Sequence, residues 1–452
     1  MLLLGTTRVA AALALAALLG GGAARADGAF PDATNVLLPP GDAQAITLAT
    51  NFGLISTDDG GKTWIWSCET PLLNGGRSYQ IAADARGSIR RIVALSSWGL
   101  VHSDDAGCSW SASLGDGQDD AFSDVFVLPA APVLAWAVGV DPSQSMGLPQ
   151  VVFGSEDGAA SLMGPLFTAA ADQQVLGVEP AAAAPSTVYV TLASGPDAPA
   201  LAVTRDGGGH WETTALANAV GSGYLRIIAV DPTDARVVLL RQSTAAGDRL
   251  LITRDGGLTW DDPLVVSGSL SAFLRRSDGT LLVGVLQPDG TAAGYRSFDA
   301  GHTFAPWPGV PHLRALAERE GVVFAAADDV QDGFALAAST DGGDTFEPRL
   351  RYGQVGGVAP CVRDACAATC QRLAAMQLWP AATCTAAASG ATGDAGAPAD
   401  GAAPSDAGGR PPAGGGGAGC AVGGMPGQAG TTRAGAVLLL VLRAFRRRFP
   451  RR

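Results

Sequence analysis

Lysine is all but missing from this chain: Lys62 is the single copy in 452 residues. Histidine is nearly as scarce, with four copies, and these do not form a metal-binding triad. His210 and His302 stand inside a repeated turn motif, His102 leads into one, and His312 opens a strand. There is no Gly-x-Ser-x-Gly elbow and no phosphate loop between a strand and a helix, which removes the usual marks of a serine hydrolase or a nucleotide enzyme. Long apolar runs are missing too. The stretch at 434–442 falls far below the ~20 residues that a spanning helix needs.

Basic charge is short overall, with 30 Lys and Arg against 42 Asp and Glu. Eight of the arginines lie at the ends: Arg8 and Arg25 in the leader, then Arg443, Arg446, Arg447, Arg448, Arg451 and Arg452. What lies between carries about −20, a surface that repels nucleic acid and anionic membrane, so neither is an expected partner. The leader has the form of a secretory signal: Arg8, an apolar run at 9–19, and Ala24-Arg25-Ala26 as a small-x-small cleavage site. The expected mature chain starts near Asp27.

What the chain has in abundance is one short phrase, roughly [ST]-x-Asp-x-Gly-x-[TS]-[WF]. It occurs seven times, starting at 57, 103, 155, 204, 253, 297 and 339. The clear copies are TDDGGKTW, SDDAGCSW, TRDGGLTW, SFDAGHTF and STDGGDTF; TRDGGGHW puts His210 where a hydroxyl belongs, and SEDGAASL at 155–162 keeps little more than its Ser, Asp157 and Ser161. Apolar alternation precedes the copies and an aromatic ends all but SEDGAASL, which is the pattern of a tight β-hairpin connection. Within it the Asp carboxylate is placed to accept nearby backbone N–H groups, the Gly releases φ, and the Ser or Thr hydroxyl bonds locally. The predicted roles are structural: Asp59, Asp105, Asp157, Asp206, Asp255, Asp299 and Asp341 as turn formers, and Trp64, Trp110, Trp211, Trp260, Phe304 and Phe346 as apolar lids.

This phrase resembles the Asp-box, or BNR, repeat of the superfamily that includes sialidases, oligoxyloglucan hydrolases, sortilin-type receptor ectodomains and photosystem II assembly factors. The resemblance covers residues 30 to 350. It implies β-propeller blades with the boxes on their outer strands, away from the ligand face. A period of 42 to 52 residues with four short strands per unit agrees with that. The expected fold class is therefore all-β: a seven-bladed β-propeller of four-stranded blades over 27–350, with the mode of ring closure left open. A Cys-rich helical module at 351–384 and a disordered Gly/Ala/Pro/Asp linker at 385–432 follow, and 433–452 completes the chain.

An exported chain allows its cysteines to pair. Cys68 follows the first box and Cys108 lies in the second, so the two either bridge adjacent blades or stay as separate thiols. Cys361, Cys366, Cys370 and Cys384 have poor spacing for zinc and are expected to close a small helical knot with two disulfides, in one of three connectivities, around a helix at 367–379. At the far end come Gly419-Cys420, the apolar run and the terminal arginines. That order resembles the myxobacterial C-terminal sorting domain, which implies processing near Cys420 and a protein left at the cell surface. The alternative is a retained membrane tail.

Catalytic residues are harder to find. A sialidase would need three arginines, a Tyr with a Glu partner, and an Asp, yet 27–76 contains no arginine, and Tyr352 has no glutamate nearer than Glu347. The oligoxyloglucan hydrolases use a cleft between two propellers, and one is present here. Asp119, Asp120 and Asp124 lie in an acidic loop at 115–124 that is either a solvated turn or a calcium chelator, the one cofactor considered. Trp66, Trp98, Trp136, Trp307 and Trp379 are left over from the boxes, as strand packing or as a sugar platform. The reading that follows is a monomeric, secreted, surface-anchored propeller that binds a protein or glycan and touches membrane only through its tail. A surface glycoside hydrolase is the alternative.

Overall fold

The computed structural model describes residues 30–72, 76–82, 91–96, 99–116, 121–128, 135–140 and 150–386. The leader, the 387–452 tail with Cys420, and Trp98, Asp119 and Asp120 lie outside them. Seven antiparallel sheets follow one another along the chain, each strand pairing with the next. Blade 1 is Ala33–Leu37, Ile46–Thr50, Gly53–Thr57 and Ile65–Ser67. Blade 5, the most regular, is Tyr224–Val230, Val238–Thr244, Gly247–Thr253 and Asp261–Val265. The first strands of successive blades meet around the ring, so they are innermost and the fourth strands outermost. The chain is a seven-bladed β-propeller.

Most of the apolar clusters form between neighbouring blades. Val93, Leu95 and Leu100 of blade 2 pack with Phe122, Phe153 and Leu162 of blade 3. Leu239, Leu250 and Ile252 of blade 5 pack with Phe273, Leu281 and Val283 of blade 6. Trp66, Trp136, Trp307 and Trp379 are all buried in such clusters, which withdraws them from any sugar platform.

Ring closure uses no exchanged strand: blade 1 takes its four strands from the N-terminal side and blade 7 from the C-terminal side. After blade 7 the chain returns across the seam instead. Gly357–Val358 lies parallel to the outer strand of blade 1, with Gly357 opposite Ile65 and Val358 opposite Trp66. A helix, Arg363–Ala375, then packs over that blade. It begins earlier than the expected 367, and ends earlier than the expected 379, because a Pro360-led turn starts it and Gln377 at φ +64° stops it. Trp379 thereby leaves the helix to pack at a tilt against Trp66, ring centroids 5.1 Å apart, and edge-on against Phe52 at 6.1 Å.

The cysteines pair differently from the expectation. Cys68 bonds Cys366, Cys108 bonds Cys361, and only Cys370–Cys384 is internal to the C-terminal segment. Cys68 and Cys108 do not bridge their adjacent blades because the returning segment comes between them and supplies a partner for each. The outcome is a clasp: residues beyond blade 7 are bonded covalently to blades 1 and 2.

Candidate functional site

Each box turns the chain between the third and fourth strands of its blade. In box 5, Asp255 Oδ1 accepts the N–H groups of Leu258 and Thr259, Asp255 Oδ2 accepts the Thr259 hydroxyl at 2.6 Å, and the Thr253 hydroxyl donates to Oδ1 at 2.8 Å. These bonds, the Thr259 hydroxyl first, hold the Asp255 carboxyl down at about 2. The degraded copies keep the geometry: the Ser161 hydroxyl donates to Asp157 Oδ2, and in box 4 His210 Nδ1 takes the hydroxyl's place 2.6 Å from Asp206 Oδ2. Carboxylates so engaged are held in the turn in their ionised form. The lids divide by depth, with Trp64 buried and Trp110, Trp211, Trp260, Phe304 and Phe346 half-buried.

A second role of the box is not visible in its consensus. Its later glycine sits against the preceding blade, so a Cβ added at Gly301 would lie 2.5 Å from Ile252 Cδ1, and one at Gly343 would lie 2.8 Å from Trp307. Both have positive φ, +84° and +97°. Glycine is needed there both for the turn and for the close approach.

The opposite strand ends carry the 2–3 hairpins and the links between blades. The first strands of blades 1 to 6 each have a bulge, and bulges re-aim the side chains beside them. In blades 1 to 3 the residue just after the bulge reaches the next blade. Asn35 Nδ2 donates to Tyr79 O at 2.8 Å, Gln80 Oε1 accepts Val127 N–H at 2.8 Å, and Asp124 Oδ2 accepts Val178 N–H at 3.1 Å. Blade 4 has Gly177 after its bulge and uses Glu179 instead, whose Oε1 accepts Val230 N–H at 2.7 Å. Asp248 accepts Leu270 N–H across the next junction, and Glu318 accepts Ser277 N–H across the one after it. At the seam Arg319 donates to the carbonyls of Asp42, Ala43 and Ala45.

Two of these fasteners have unusual acidity. Burial lifts the Glu179 carboxyl to about 8, and the neighbouring Asp124 adds to the effect. Burial likewise lifts Asp124 to about 6 against the opposing pull of Arg226. Thus Asp124, of the three acids singled out in the sequence, stands on the first strand of blade 3 beside Glu179, which no sequence motif marks. The signal for Glu179 was only its place in a strand. Asp124 itself lies in a strand, bonded to the next blade, while Asp119 and Asp120 lie outside the described residues. Among the described residues no His, Cys, Asp or Glu group has a metal-holding arrangement.

Tyr352 stands at the junction of blades 7 and 1, near Arg314, which bonds Asp32 at 2.8 Å and Asp328 at 3.3 Å. It is buried, packs edge-on to Phe52 at 5.2 Å, and its hydroxyl has no hydrogen-bond partner. Burial first, then Asp32, Asp329 and Asp328, push its phenol well above the ordinary range. A nucleophilic tyrosine needs the reverse. A groove of about 300 Å³ lies instead where blade 6 passes into blade 7, between Val310, Pro311, Phe334, Asp344 and Phe346, and His312 in the same link bridges Asp332 and the Gly290 carbonyl.

No protein-family profile matches the chain, and no curated protein matches it. Solved structures do. A puromycin-hydrolyzing peptidase of Mycobacterium tuberculosis is 14% identical with TM-score 0.51, over 71% of this chain and 54% of that one. YCF48 from Cyanidioschyzon merolae is 15% identical with TM-score 0.47, over 65% and 92%. A GH74 xyloglucanase from Xanthomonas campestris is 15% identical with TM-score 0.36, over 72% and 65%. At such identities the likeness is one of fold.

Proposed function

We propose that the chain is exported and held at the outer cell surface, where the propeller binds a protein or glycan partner on the face that the boxes leave open. The observation that carries this reading is the use of the ionisable groups at the blade junctions. Asp124, Glu179, Asp248, Arg319 and Glu318 are each engaged with the backbone of an adjoining blade. Such a ring is a rigid frame for loops, and loops on rigid frames are where recognition concentrates. The three disulfides support an oxidising compartment outside the cytosol. The leader at 1–26 and the Cys420 tail supply export and anchoring in this reading, with the protein left as a monomer.

One observation favours the hydrolase alternative. Asp124 and Glu179 interact, and both titrate above ordinary carboxyls, as the acid of a glycosidase pair does. The full chain is therefore incubated with a panel of chromogenic glycosides and polysaccharides and, in parallel, with immobilised glycans and purified surface proteins. Saturable binding without turnover supports the binding module. Turnover that Glu179→Gln abolishes overturns it. Mass spectrometry of the mature C-terminus tests the anchor, and an intact Arg452 refutes processing at Cys420.

A further inference from the structure

A propeller presents one outer strand edge per blade, and an open edge is a template for another strand. Six of the seven edges here are closed or spoiled. The edge of blade 1 is covered by the chain's own Gly357–Val358; that of blade 3, Ser161–Thr168, is covered at Ser161 and Leu162 by Leu114–Gly115, both additions parallel, and is interrupted beyond them by Pro165. Blades 2 and 6 offer two residues each, Ser111–Ala112 and Ala305–Pro306. The outer strands of blades 5 and 7, Asp261–Val265 and Glu347–Leu350, contain Pro263 and Pro348, which cannot donate to a ladder.

Blade 4 is the exception. Its outer strand, Glu212–Ala215, has four residues, no proline, and every residue exposed. Leu216 N–H bonds Pro199 O at 2.9 Å, and the antiparallel alternation then points Glu212 and Thr214 backbone groups at the third strand and those of Thr213 and Ala215 outward. Among the described residues no hydrogen bond engages these outward groups.

We propose that this edge is a strand-addition site, taking an extended peptide segment of a partner protein as a parallel fifth strand. The orientation follows the two additions that the ring already makes to itself. The chemistry follows charge: the chain has net charge −12, and the Glu212 side chain on the strand, paired with Arg205, is still 76% exposed, so a segment with basic residues flanking β-branched ones is favoured. The same charge opposes a second copy of the chain as the occupant. This rests on the binding reading and names its surface.

The probe is the synthetic peptide acetyl-Lys-Val-Thr-Val-Thr-Val-Lys-amide at millimolar concentration, added to the full oxidised chain. Hydrogen exchange is read by mass spectrometry over residues 211–216. The peptide slows exchange there by about fivefold and leaves the other outer strands unchanged. Ala215→Pro removes one outward donor without touching the ladder inside the blade, and Thr213→Lys leaves the backbone intact while repelling the probe. Each abolishes the protection. Unchanged exchange in the wild type, or equal protection in Thr213→Lys, overturns the site. Protection that appears without probe and rises with protein concentration assigns the edge to a second copy instead. If a glycan or protein ligand still binds Ala215→Pro normally, the edge proposal fails while the surface-binding reading stands.

Discussion

The clasp makes a quantitative prediction about how two disulfides share their work. A bridge that closes n residues removes entropy from the unfolded chain as about 2.1 + 1.5R ln n cal/mol/K. With separations of 298 and 253 residues, Cys68–Cys366 or Cys108–Cys361 alone stabilises the fold by about 5.5 kcal/mol. The two are not independent. With one closed, the other closes only the circuit from 68 to 108 and back through 361 to 366, about 45 residues and about 4 kcal/mol. Replacing Cys68 and Cys366 together by Ala therefore lowers the unfolding free energy by about 4 kcal/mol, and so does replacing Cys108 and Cys361. Replacing all four lowers it by about 9.5 kcal/mol, roughly 1.5 more than the two pairs added. Guanidinium unfolding followed by tryptophan fluorescence measures this, since Trp66 and Trp379 lie beneath the clasp. Strictly additive losses, or a Cys68/Cys366 variant that unfolds at the wild-type midpoint, would refute the clasp.

Three further outcomes follow from single sites. The Glu179 carboxyl titrates at about 8 in the fold against an ordinary 4.5, so its contribution is present below 4.5 and is lost as pH rises through 8; thermal midpoints of the wild type fall across that window, by about 5 kcal/mol in stability terms, while Glu179→Gln is flatter. Gly301→Ala meets both a φ of +84° and the Ile252 side chain and destabilises by about 2–3 kcal/mol in chemical denaturation; an effect under half of that refutes the close approach. Tyr352→Phe deletes a buried hydroxyl that bonds nothing, so stability is unchanged or rises by about 1 kcal/mol and ligand binding persists; loss of function would place the hydroxyl in the chemistry instead.

The fold was legible because its signal is local and repeated. An Asp two residues after a Ser or Thr, with Gly and a hydroxyl at fixed distances, satisfies a turn by itself, so Asp59 or Asp255 announces a hairpin without any knowledge of neighbours. Seven such turns at near-constant period count the blades. The fasteners were illegible because they depend on contacts across about 45 residues of chain, between Asn35 and Tyr79 or Gln80 and Val127. Nothing in the composition of a strand marks which carboxyl will lose its water.

The sequence by itself determined an all-β ring of seven units and placed its aspartates in turns, since hydrogen bonds within eight residues are independent of the rest of the chain. Only the tertiary structure decided the cysteine partners, the acidity of Glu179 and the open edge of blade 4. Disulfides need Cα atoms about 5.6 Å apart, as Cys68 and Cys366 are across 298 residues. That proximity is set by where the chain returns after its last blade, and no spacing of cysteines along the sequence encodes it.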